Sequence, residues 1–353
     1  MVATVLPKIS SAQEGHFSSH LKRLLIISEG FEERSISFLS SFSTVEFSKA
    51  LICRYFPKKI AKYDELLTLL SCRTPEIKEL SFNRYNPFEF EVLLQEELAE
   101  LASFDEIVID LSVMSKYMIM QIICSLAYYS GNIKIIYTEP VSYAPSQKEY
   151  EHDIKDKGQE FATVLPSYGV YDIVRTPLLT SLVMQKSPSL LISFLSFNEQ
   201  LIRALLSEFN PTRLYLINGV PPLLSWREKA MQDIHLNIIK EYQMDNQIDD
   251  TGKLVRRVST LQYEETFNLI SDVYRNNCVS SRIVLAPTGS KMQAVACALL
   301  KLCCLDIHIE YPTPESYYIE GYSSSEIKEI HLLEFSNFST FISALADSAE
   351  LNR

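Results

Sequence analysis

The chain has 353 residues, 47% hydrophobic and 22% charged, with a net charge of −11; this is the balance of a folded globular protein, long enough for two domains. That acidity argues against a broad footprint on DNA or RNA, which needs many phosphate-neutralising cations, and leaves room only for a small anion in a local basic pocket. No apolar run reaches the ~18 uncharged residues of a membrane span and the N-terminus lacks a signal-peptide core, so a cytoplasmic location and no membrane partner are expected.

Taken in chain order, Arg23–Ser28 reads as a buried strand and Glu32–Phe42 as a helix. A strand within Val45–Phe56 follows, then a helix at Tyr63–Cys72, a strand at Glu76–Phe82 and a helix at Pro87–Leu101. Glu106–Leu111 is the fourth strand, Met114–Tyr129 a helix and Asn132–Tyr137 the fifth strand. The polar stretch Lys148–Glu160 and the turn-rich Leu165–Pro177 form the best linker. Beyond it the order returns: strand Leu190–Ser196, helix Asn198–Phe209, strand Arg213–Ile217, helix Leu224–Tyr242, strand Lys253–Ser259, helix Tyr263–Asn276, strand Arg282–Ala286, helix Ser290–Cys304 and strand Ile307–Tyr311. Tyr317–Ile330 reads as an added hairpin, Phe335–Ala346 as a closing helix and the acidic Asp245–Gly252 as a surface loop. Apolar strands alternating with helices imply a mainly parallel sheet covered on both faces. The expected fold class is α/β: two tandem Rossmann-like lobes, residues 1–147 and 188–353, joined by a linker at 148–187.

Two stretches support a duplication. Asp110–Tyr143 and Leu285–Tyr317 each carry a strand end, a Ser-Lys pair (Ser115-Lys116, Ser290-Lys291), an apolar helix, a strand and a Tyr-x-x-Pro-x-x-Tyr run (Tyr137, Pro140, Tyr143; Tyr311, Pro314, Tyr317). An intramolecular pseudo-dimer is expected.

In parallel α/β sheets ligands bind beyond the carboxyl ends of strands, where helix starts present free N–H groups. In the first lobe those segments are Ser28-Glu29-Gly30-Phe31-Glu32-Glu33-Arg34, Asp110–Lys116 and Tyr137–Pro140. In the second they are Ser196–Glu199, Asn218–Pro221 and Pro287-Thr288-Gly289-Ser290-Lys291. A lysine in the first helical turn opposes the helix dipole, so its presence points to an anion; the plainer reading is an N-cap followed by a solvated lysine. The turn is not a phosphate-binding loop of the Gly-x-x-x-x-Gly-Lys type, nor is there a Gly-x-Gly-x-x-Gly. Glutamates in a first helical turn favour the helix itself, but Glu32, Glu33 and Glu139 are also the carboxylates available as base or nucleophile.

The run Asp110-x-Ser112-x-x-x-Lys116 resembles the signature of CARF domains, the CRISPR-associated Rossmann-fold sensors, and Thr288-Gly289-Ser290-Lys291 resembles that family's Gly-Thr-Lys variant. The resemblance covers the βα core of both lobes. It implies a cyclic oligonucleotide bound between paired lobes and regulation of a separate effector in prokaryotic antiviral defence. Phosphates would be held by Lys116, Lys291, Ser112, Ser115, Thr288 and Ser290, with Asp110 and Gly289 in the same turns. Ser28, Gly30, Phe31 and Arg34, with Phe197 and Asn198 opposite, would form the side walls. Leu285 and Pro287 stand where the first lobe has Asp110 and Ser112, so the half-sites are expected to be unequal. The two lobes use up this length, so no effector domain is expected within it, and no Arg-x4-6-His ribonuclease motif accompanies the six histidines.

The alternative reading is a phosphodiesterase or nucleotide hydrolase using Glu32, Glu33 or Glu139; a third is a ligand-free structural subunit. No His/Cys/Asp cluster has metal-ligand spacing, so neither metal nor cofactor is expected. His308 and His331 read as satisfied histidines in strand patterns, Trp226 beside Arg227 as packing rather than a base-stacking platform, and Met114, Met118 and Met120 as core filler. The seven cysteines are expected to be reduced and mostly buried.

Overall fold

Runs of Leu, Ile and Val bounded by turn-forming residues become strands buried on both faces. β1 (Ser10–Ser11), β2 (Arg23–Ser28), β3 (Lys49–Phe56), β4 (Ile77–Asn83), β5 (Glu106–Asp110) and β6 (Asn132–Pro140) come first. The computed structural model describes residues 6–17, 21–57, 62–154, 166–222, 224–242, 256–317, 322–349 and 351. Every residue of β2 and β5 is buried, as central strands of a two-sided parallel sheet require. β4, β3, β2, β5 and β6 are neighbours in that order, all parallel.

The second set repeats the plan. β7 (Ser167–Tyr168) and β8 (Asp172–Val174) precede β9 (Ser189–Phe194), β10 (Arg213–Val220), β11 (Arg257–Ser259), β12 (Arg282–Ala286), β13 (His308–Ile309), β14 (Tyr311–Thr313) and β15 (Ser316–Tyr317). The parallel order is β11-β10-β9-β12-β13. Numbering strands within each repeat, both sheets run 3-2-1-4-5. The molecule is α/β with two Rossmann-like sheets, and the strand order reverses between β2 and β5 in one and between β9 and β12 in the other, the crevices where such sheets bind ligands.

The C-terminal segment departs from expectation. β16 (Ile327–Phe335) pairs antiparallel with β6, and β1 pairs with β16. The chain accordingly divides into one unit extending to Tyr143 that takes back Ser323–Leu345, and another running from Ala144 to Tyr322 and including the chain from Ala346 onward. The boundary of 188–353 for the second lobe is therefore corrected. Tyr317–Ile330 is not a hairpin: β15 joins β7, β16 joins β6, and residues 318–321 between them lie outside the described residues. The physical reason is β6, whose outer edge needs a partner for its N–H and C=O groups; β16 supplies it with Leu332, Leu333 and Phe335 buried. In the other unit that role passes to β8 and β7, pairing antiparallel with β14 and β15, so part of the expected linker is sheet. The expected loop Asp245–Gly252 and residues 253–255 of the expected strand are outside the described residues. The expected long helix is two, Trp226–Ile234 and Leu236–Glu241, meeting at buried His235.

None of the seven cysteines is in a disulfide; Cys72 is exposed and Cys303 half-buried, the other five buried. Burial pushes the Cys53 and Cys297 thiols well up, which makes them inert packing groups. No described helix is long and apolar enough to cross a membrane.

Candidate functional site

In the first unit the β5 chain end turns into the helix Lys116–Ser125, capped by Ser115, whose hydroxyl accepts the Met118 N–H at 3.2 Å. Tyr55 on β3 fixes this turn: its hydroxyl accepts the Ser115 N–H at 2.6 Å and donates to the Val113 carbonyl at 3.2 Å. Gly30, after β2, lets Val113 approach, since a Cβ there would lie 2.8 Å from a Val113 methyl. Lys116 therefore opens its helix from a rigid turn. Its ammonium has no hydrogen-bond or ion-pair partner among the described residues, and burial pulls it down to about 8. A partly buried cation without a counter-ion, at a helix end where the dipole already disfavours it, is costly to the fold.

Most of the other candidates have their polar atoms engaged within the protein. The Ser28 hydroxyl donates to carbonyls of Glu29 and Cys53. Ser112 is fully buried; its hydroxyl donates to Asp110 Oδ1 and accepts the Thr138 N–H at 2.8 Å, tying β5 to β6. Arg34 is 2% exposed and bidentate to Glu32, both bonds 2.8 Å, with Tyr143 Oη at 3.3 Å from its third nitrogen. Ser28, Ser112 and Arg34 thus have their polar groups engaged within the fold, and Phe31 is half-buried.

The glutamates are likewise held. Glu29 accepts the Tyr55 N–H at 2.9 Å and pairs with Arg54, while Glu33 pairs with Lys62 at 2.9 Å. Glu32 also accepts from the Ser323 hydroxyl. Glu139 meets Lys328 Nζ at 2.9 Å and His331 Nε2 at 3.0 Å; burial raises its carboxyl, but these two bonds outweigh it and the net shift is below the ordinary range. Each of these carboxylates has its cation, and none is placed as a free base.

In the second unit Lys291 opens the helix Lys291–Cys303 after β12, the place Lys116 occupies after β5. Ser290 caps it in a reciprocal box with Gln293, at 3.1 and 2.7 Å, and donates to the Thr260 carbonyl at 2.6 Å. The Ser-x-x-Gln spacing carried that signal in the sequence. Gly289 is required by close approach: a Cβ would fall 2.1 Å from Gln293 Oε1 and 2.9 Å from Phe194 Cβ. Thr288 is 1% exposed, and its hydroxyl donates to the Phe194 carbonyl at 2.6 Å and accepts the Phe194 N–H at 3.0 Å. The hydroxyls of Thr288 and Ser290 are thus engaged in the turn itself. Thr288→Val, equal in shape, should cost about 1–3 kcal/mol by stranding buried backbone groups of Phe194. Chemical denaturation checks this; unchanged stability with lost ligand affinity would return Thr288 to the binding set.

Asn198 is buried, donating to the Gly169 carbonyl at 3.1 Å and accepting the Gln200 N–H. Phe197 is core, packed with Tyr150 and Trp226 at 6.2 and 6.0 Å between ring centres, with Arg227 over both Phe197 and Trp226. Both are engaged within the fold, and Trp226 packs against Tyr150 and Phe197 as expected. His308 is a satisfied core histidine between the Ser181 N–H and Glu310.

No family model matches the chain, and no curated protein matches it. Among solved structures it is similar to a functionally unknown protein, PA1789, of Pseudomonas aeruginosa PAO1, at 9% identity over 94% of this chain and 98% of that one, with a TM-score of 0.23. It is also similar to the cytoplasmic domain of a prokaryotic cation chloride cotransporter, at 8% identity over 84% and 98%, TM-score 0.22. A third likeness is to S. aureus MnaA in complex with UDP, at 10% identity over 86% and 92%, TM-score 0.25. Superpositions this loose carry no argument about function, which rests on the chain's own residues.

Proposed function

We propose that the chain is a CARF-like sensor: it binds a cyclic oligonucleotide at a lysine-bearing helix start that follows strand four of its Rossmann-like sheet, and regulates a separate effector in prokaryotic antiviral defence. The observation that supports this most is Lys116, kept partly buried and without a counter-ion among the described residues, at a cost to the fold. The shared 3-2-1-4-5 order supports it further, because it gives Lys116 and Lys291 the same place after strand four of each sheet. Holding a ligand is favoured over cleaving it, since Glu32, Glu33 and Glu139 are all ion-paired.

The test is incubation of the full chain with a panel of cyclic oligoadenylates, followed by chromatography of the ligand and a melting scan. One ring size should be retained intact and stabilise the fold, by about 2.7 kcal/mol at a hundred times its Kd. Linear products would overturn the sensor in favour of an enzyme; no binding at millimolar ligand would overturn the reading entirely.

A further inference from the structure

We propose that Glu139, Glu329 and His331 form a binding site for a first-row transition-metal dication on the sheet of the first unit, independent of the Lys116 ligand. One donor atom from each lies within 4.8 Å of the others. Nitrogen and oxygen donors sit about 2.0–2.2 Å from such an ion, which sets opposed ligands roughly 4 Å apart. Small side-chain rotations therefore close the three donors on one ion.

The frame is rigid. In the antiparallel pair of β6 and β16, Glu139 stands directly opposite Glu329 and His331 directly opposite Tyr137, so all four project from one face. Two carboxylates in directly opposed positions repel unless a cation lies between them. His331 Nε2 is 3.0 Å from Glu139 Oε2, and Nδ1 is 3.9 Å from Glu329 Oε2. The buried imidazole stacks on the Tyr137 ring, 6.0 Å between centres and 18° between planes, which limits its rotation.

Lys328 now stands in for the ion. The register shifts between Ile327 and Glu329, and Lys328, at that irregularity, puts Nζ 2.9 Å from Glu139 Oε2. Its ammonium is a strongly hydrated charge on a flexible stem, and solvent-exposed pairs of this kind are weak; a dication bound by three ligands displaces it. One imidazole with two carboxylates suits Mn(II), Fe(II) or Zn(II) better than Mg(II) or Ca(II), for which imidazole is a poor ligand. The sequence concealed the group because Glu139 and His331 are 192 positions apart.

The test is a titration of the full chain with Mn(II), followed by loss of the free-ion electron paramagnetic resonance signal; Mn(II) avoids the thiols. One saturable site is expected. Glu329→Gln, on the exposed side of the group, and His331→Gln should each weaken it at least tenfold, whereas Lys328→Met should tighten it several-fold by removing the competing ammonium. Absence of a saturable site, unchanged affinity in Glu329→Gln, or weaker binding in Lys328→Met would overturn the proposal.

Discussion

Replacing Lys116 with methionine should stabilise the protein near pH 7 and weaken its ligand at the same time. The ammonium, ordinarily near 10.5, is pulled down to about 8 by burial. Between those values the unfolded chain binds more protons than the native one, so native stability rises with pH across the window. The penalty is thus fully present below pH 8 and gone above about 10.5. Part of the side chain reaches solvent, so Lys116→Met should gain about 1–3 kcal/mol at pH 7 and little at pH 10. Binding of a phosphate-bearing ligand should fall by about 1.5–3 kcal/mol, roughly ten- to a hundredfold, through loss of charge-assisted bonds. Denaturation at two pH values and calorimetric titration read both effects. A variant that is less stable at pH 7 and binds normally would show that Lys116 serves only the fold.

Arg34 should behave in the opposite way. Burial alone would lower its guanidinium, but Glu32, Tyr143 and Tyr137 raise it well above the ordinary value. Arg34→Leu leaves the Glu32 carboxylate, 7% exposed, buried without its cation, at a cost of about 3–5 kcal/mol. Against a typical total of about 5–15 kcal/mol, that is enough to unfold the first unit at modest urea. The double variant Glu32→Leu with Arg34→Leu should recover most of the loss, because two apolar groups of similar volume replace a desolvated pair. Full stability in Arg34→Leu together with lost ligand affinity would put Arg34 back at the binding surface.

What was legible in the sequence was whatever is local. Strands such as Arg23–Ser28 and Arg282–Ala286 announced themselves by unbroken apolar runs, and the Ser-Lys pairs marked two helix starts that the structure places after equivalent strands. The partner of β6 was not legible, because β16 lies some 190 positions away and its alternation of polar and apolar residues fits any half-covered edge strand. Nor could the turn hydroxyls be assigned. A serine or threonine at a strand end caps or binds with the same group, and only the fold shows that Ser112 is taken by Thr138, 26 positions on, and Thr288 by Phe194, 94 positions back. The lysines differ: an ammonium has no use at a helix start, so the misfit that singled out Lys116 in sequence persists in the structure.

If Lys116 is kept for an anion, its own titration reports it. Carbon-13 labelled lysine side chains, followed by NMR from pH 6 to 11, should show one resonance titrating near 8 that is missing in Lys116→Met. Adding a cyclic oligoadenylate should move that titration upward towards the ordinary lysine range, since a bound phosphate favours the charged form. A Lys116 resonance that titrates like a solvated lysine, or one near 8 that no phosphate-bearing ligand shifts, would show that Lys116 holds no anion.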